Sequence, residues 1–166
     1  MFKRALLTVA ALMSSIVIAS AQTPMTVEDF VAKAASSGKF EVQSSRRALA
    51  TSSDDIKAFA QQMITDHKAI NKGLKAAAAA DKVPVPKAMD EKDSAALASL
   101  KGKRGAEFDR LYLDAQVKGH DEAVALFSTY AQSGDKPRLK AFAVETLPAL
   151  KKHQEKAKQL ASGKPS

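Results

Sequence analysis

Four long stretches of this chain repeat their apolar residues every three or four positions, and no stretch alternates them as a half-buried strand would. A chain patterned this way folds by laying helices against one another, because each helix carries one apolar stripe that must be covered. The first stretch runs from about Val27 to Leu49, opened by Thr26 with Asp29 three residues on, the spacing of a capping box. The second runs from about Asp54 to Ala80 behind Ser53, and the third from about Ala106 to Ala131 behind Gly105. The fourth runs from about Lys136 to Leu160, with Asp135 as the expected cap and Pro137 in the first turn, where a missing amide hydrogen is harmless.

The links between these helices limit how they stack. The first and third links are short, so the first and second helices form one antiparallel hairpin and the third and fourth form another. The middle link, Asp81 to Arg104, begins with Pro84 and Pro86 and holds a short helical piece near Asp90 to Leu100. It is long enough to cross the bundle, which leaves open a plain up-down-up-down bundle and a ferritin-like one with a crossover.

Heptad spacing exposes the inner seam of each helix. In the second helix it reads Ile56, Ala60, Met63, His67, Ile70, Leu74; in the third, Asp109, Leu113, Gln116, His120, Ala123, Phe127. In the fourth it reads Leu139, Ala143, Thr146, Leu150, His153, Ala157, and in the first Val31, Ala34, Gly38, Glu41, Ser45, Ala48. The chain has 3 histidines, and three different helices each turn one of them inward. The remaining helix turns Glu41 inward, between Gly38 and Ser45, which leave room beside it. With a rise of about 1.5 Å per residue, all four groups fall in the middle third of the bundle.

A buried imidazole or carboxylate is costly without a partner. One arrangement that supplies partners is a mononuclear metal site of His67, His120, His153 and Glu41, suited to zinc, copper or iron, with Met63 one turn from His67 as a soft neighbour for copper. Another is a polar network in which the histidines, Glu41, Asp109, Tyr112 and Gln116 hydrogen-bond to one another. A third is a core that responds to pH, since histidine titrates near neutrality. A di-iron carboxylate centre is not indicated: it needs Glu-x-x-His on two helices, and the residues three before the histidines are Ile64, Val117 and Leu150. With no Ser-His-Asp, Cys-His or glycine-rich phosphate motif either, the expectation is a binding protein, not an enzyme.

The N-terminal stretch points to where it works. Lys3 and Arg4, then an apolar run from Ala5 to Ile18, then Ala19-Ser20-Ala21 have the order of a secretory signal peptide cleaved before Gln22. The run is short for a membrane span, which needs roughly 20 residues, so no transmembrane segment is expected in the mature chain. The expected organisation is a signal peptide at 1–21, a helical bundle at 22–162 and a frayed tail at 163–166, in the periplasm or secreted. With Cys 0, neither a disulfide nor a lipid-modified cysteine is available. Without Lys3 and Arg4 the chain holds 24 basic and 18 acidic residues, a net charge of +6. In a cell envelope such a surface suits acidic lipids or glycans, the partners expected of a structural or stress-related envelope protein. Nucleic acid is not expected as a partner for an exported chain with Trp 0 and few aromatics to stack on bases.

Several of these residues also form a recognisable set: Phe30-Val31-x-Lys33-Ala34-Ala35 with Glu41-Val42, Phe59-Ala60-Gln61-x-Met63 with Asp66-His67, Phe108-Asp109-Arg110-x-Tyr112-Leu113 with His120, and Leu147-Pro148 with His153. Over about Thr26 to Leu160 the chain resembles an exported bacterial family, a domain of unknown function often labelled "predicted outer membrane protein". The resemblance implies a ferritin-like four-helix bundle and export. It implies no activity, and it marks Glu41, His67, Asp109, Tyr112, His120 and His153 as family positions without giving them a role. The outer-membrane label fits these residues poorly, since a membrane barrel needs alternating strands of about 10 residues.

Overall fold

The structure, a computed structural model, describes residues 25–163, so the expected signal peptide at 1–21 and residues 164–166 of the expected tail lie outside it. The described residues are all-α: α1 (Val27–Thr51), α2 (Asp54–Ala80), α3 (Glu91–Ser99), α4 (Gly105–Ser133) and α5 (Pro137–Ala161), without a strand among them. The Thr26 side chain accepts from the Asp29 amide at 3.1 Å and closes the first turn of α1 as its spacing predicts. Two other ends are capped from a distance. Ser53 precedes α2 without a capping bond from its side chain, and its amide donates instead to Asp109 Oδ2 at 3.3 Å. Asp135, the expected cap of α5, accepts from the Tyr130 hydroxyl, while Asp81 at the end of α2 accepts from the Leu139 amide at 2.8 Å. Asp81 thus ends one helix and holds the start of another.

These contacts settle the topology. α1 packs against α2 and α4, and α5 against α2 and α4, which puts α2 and α4 on a diagonal. Phe30 at the start of α1 stacks on Tyr130 near the end of α4, with centroids 4.0 Å apart, so α1 and α4 are antiparallel. The bond from Ser53 to Asp109 places the starts of α2 and α4 at one end, so they are parallel. A parallel diagonal pair can be joined only by a link that travels the length of the bundle, which is the ferritin-like crossover. The crossover is pinned to α1: Lys39 Nζ donates to the carbonyls of Pro86 (2.7 Å) and Ala88 (3.1 Å), Ser36 Oγ to Asp93 Oδ2 (2.5 Å), and Arg47 to the Leu97 carbonyl.

The interior is layered. One apolar cluster, with Phe30, Leu74, Phe127, Tyr130 and Phe142, fills the end where α1 starts. A second, with Ile56, Phe59, Met63, Phe108 and Tyr112, fills the other end. Between them lie buried Glu41, Ser44, Ser45, His67, Gln116, His120 and His153. A core that is dry at both ends thus has a polar waist, and its side chains must find their partners there.

Candidate metal centre

The three histidines meet in the waist. Their ring centroids form a nearly equilateral triangle, with separations of 5.5 Å (His67–His120), 5.4 Å (His67–His153) and 5.5 Å (His120–His153). One ring nitrogen from each lies within 4.8 Å of one from each of the others, and the three residues are 1–3% exposed. Heptad position explains the convergence: α2, α4 and α5 each bring one seam residue to the same height.

Hydrogen bonds set the outer nitrogen of two of the rings. His120 Nδ1 lies 2.9 Å from the Gln116 carbonyl one turn earlier on α4. A carbonyl only accepts, so Nδ1 carries the proton and Nε2 keeps its lone pair. His153 Nε2 lies 2.8 Å from Asp66 Oδ2 on α2, which leaves Nδ1 as its other ring nitrogen. His120 Nε2 and His153 Nδ1, together with both nitrogens of His67, are buried and have no hydrogen-bond partner. Burial, and then the neighbouring imidazoles, hold the His67 ring well below its ordinary range; burial above all lowers His120 to about 4. The His67 and His120 rings are thus neutral at physiological pH, the state in which imidazole binds a metal.

Glu41 stands outside the triangle. Its Oε1 is 3.9 Å from His120 Nδ1, the nitrogen turned away from the other rings, and its Oε2 accepts from Gln116 Nε2 at 2.6 Å. Burial raises its carboxyl to about 8, outweighing the hydrogen bond from Gln116 that lowers it. Of the four groups expected to share a site, the three imidazoles converge and the Glu41 carboxyl lies behind one of them. The expected shared network also divides: Tyr112 bonds Ser45 Oγ at 2.8 Å, and Asp109 caps α2 at the bundle end. Met63 is fully buried within the apolar cluster one turn before His67. Gln116 is the one supporting residue that touches both groups, through its carbonyl to His120 and its amide to Glu41.

The domain of unknown function DUF4142 matches residues 14–160. The chain belongs to that family. No curated protein matches it. Among solved structures, CopM in its Cu(II)-bound form superposes with a TM-score of 0.69 at 18% identity, covering 85% of this chain and 99% of that one. CopM in an Ag-bound form superposes with a TM-score of 0.66 at 20% identity, covering 84% and 97%. At these identities the likeness shows a shared fold.

Two residues of this DUF4142 domain escape a reading by heptads. Asp66 lies beside the seam of α2, about 100° around the helix from His67, and its carboxylate reaches across to α5. Its place next to a seam histidine was the one available signal. Gly119 makes the room for Glu41, where a Cβ would stand 3.2 Å from Oε1. The space beside Gly38, expected to serve Glu41, is taken by Asn71, whose Oδ1 would lie 1.9 Å from a Cβ there.

Proposed function

We propose that this protein is an exported, non-catalytic metal-binding bundle that holds one ion through His67, His120 and His153. The observation that carries this reading is the four partnerless ring nitrogens at the triangle, in a waist where every partnerless buried polar atom costs stability. A core network built for stability would pair them. The Asp66–His153 and Gln116–His120 bonds are also the outer contacts that metal-bound imidazoles make, which fix the tautomer and raise the basicity of the ligand nitrogen.

The ligand chemistry narrows the ion. Three imidazoles without a carboxylate suit copper, zinc or iron and not a hard cation such as magnesium or calcium. Copper is favoured because the two CopM structures of the same fold carry Cu(II) and silver. A binding role is favoured over catalysis because a catalytic metal must meet its substrate, whereas these rings are at most 3% exposed. No described helix is long and apolar enough to cross a membrane; the order of Lys3-Arg4, apolar run and Ala19-Ser20-Ala21 supports export to the periplasm.

The test is metal analysis of untagged protein purified from the periplasm, with the expected result close to one copper per chain and a mature N-terminus at Gln22. A metal-free protein whose melting temperature is unmoved by copper, silver, zinc or iron overturns the reading.

A further inference from the structure

On the face where α1 and α2 pack, positive charge collects without an opposing charge. Lys39 and Arg46 on α1 and Lys68, Lys72 and Lys75 on α2 line one groove of about 520 Å³, and no acidic side chain lines it. Elsewhere four lysines sit in ion pairs: Lys57 with Asp54, Lys92 with Glu122, Lys103 with Glu107, Lys158 with Asp121. Among the described residues, neither Arg46 nor any of the three α2 lysines is paired with a carboxylate. Lys39 donates only to the carbonyls of the crossover, and its ammonium is depressed by burial and then by the nearby Lys75. Like charges crowded to this degree repel in the free protein, so an anion between them relieves an unfavourable field.

The shape narrows the class of anion. Lys39 to Arg46 and Lys68 to Lys75 are each seven residues apart, so each row of cations runs about 10 Å along its helix. Two antiparallel rows facing across a trough match an extended anion with charge along its length better than a single point charge. The floor is fixed by Asn71, whose Nδ2 donates to the Gly38 carbonyl at 2.9 Å and whose side chain fills the space a Cβ at 38 would need. The volume is in the range of a small-molecule site, and a concave trough contacts a flat membrane only along its rims. Ammonium groups serve as point-charge partners for phosphate.

We infer that the groove between α1 and α2 binds a linear oligophosphate, its phosphates lying between the lysines of α2 and the cations of α1. This site is independent of the histidines and stands or falls apart from metal binding.

The experiment is calorimetric titration of the mature protein with sodium tripolyphosphate at low salt, alongside flotation with vesicles of phosphatidylglycerol. The exposed K68A/K72A/K75A triple variant is compared with the charge-matched K101A/K151A/K152A variant, circular dichroism confirming that both fold. The expected result is one tripolyphosphate per chain, weakened about tenfold or more in the first variant, less than twofold in the second, and further weakened by added salt. Three results overturn the inference: no binding by the unmodified protein, equal loss in both variants, or capture by vesicles without binding of tripolyphosphate, which makes the face a membrane contact.

Discussion

The waist of the bundle holds two buried polar groups in contact, and they differ in how they meet the cost of burial. On the α1 side, Glu41 is held neutral and takes a 2.6 Å hydrogen bond from Gln116, whose amide also approaches Ser44 at 3.4 Å. On the side of α2, α4 and α5, each imidazole keeps at least one nitrogen without a partner. The first group is paired by its own bonds except at Gln116 Oε1, which has no partner. The second is incomplete as a structural device: two of its rings are held from outside by Asp66 and Gln116, while both nitrogens of His67 lack a partner. That pattern is what the proposed ligand site requires.

The largest effect that tests this contrast belongs to the triangle. His67→Leu is expected to lower copper affinity by at least about a hundredfold, while the metal-free protein melts no earlier, because two partnerless buried nitrogens are removed. Competition titration against a copper chelator, with thermal melts of the metal-free variant, reads both halves. Next comes Glu41→Ala, which reverses the pattern. It strips Gln116 of its partner and leaves a cavity, so a loss near 3 kcal/mol is expected in denaturant melts, with copper affinity changed less than tenfold.

The third test uses pH on the metal-free protein. The Glu41 carboxyl is raised from 4.5 to about 8 in the fold, so the native state keeps a proton that the unfolded chain releases. Its contribution is complete below pH 4.5 and is lost as pH rises through 8. His67 and His120 are lowered from 6.5, so they act in the opposite direction, chiefly below that value. The histidines fade out within about a unit above that value, so between about pH 7 and 9 the carboxyl dominates. Stability is expected to fall there by about 1 kcal/mol, a fall that Glu41→Gln abolishes in denaturant melts at each pH. The smallest effect is Asp66→Asn, expected to weaken copper binding about tenfold while leaving the metal-free melt within a degree or two, since that carboxylate is partly exposed and acts through His153.

The contrast also separates what the sequence could reveal from what it could not. Periodicity places His67, His120 and His153 inward because each is flanked by apolar residues on its own helix, and that local pattern suffices. It places Glu41 inward for the same reason, yet cannot decide which neighbour the carboxyl meets. Two seam residues a turn apart in height are equally near by rise alone, and the outcome rests on Gly119 across the interface. Asp66 lies off the seam, so its bond to His153 depends on the angle between α2 and α5. The crossover was undecidable from link length; it follows from Asp81, Asp109 and Phe30, whose partners Leu139, Ser53 and Tyr130 are 58, 56 and 100 residues away. The five helices were legible nearly to their ends, because their start signals and stripes are local.

The triangle has a mechanical side as well. His67 belongs to the first hairpin, His120 and His153 to the second, so an ion held among them would fasten together halves of the chain that are far apart in sequence. This chain has Cys 0 and cannot lock itself by oxidation. Its durability would instead follow the supply of the ion, gaining about 2.7 kcal/mol when free ion exceeds the dissociation constant a hundredfold and surrendering it to any stronger chelator. Such a protein would carry a clasp that its surroundings open and shut.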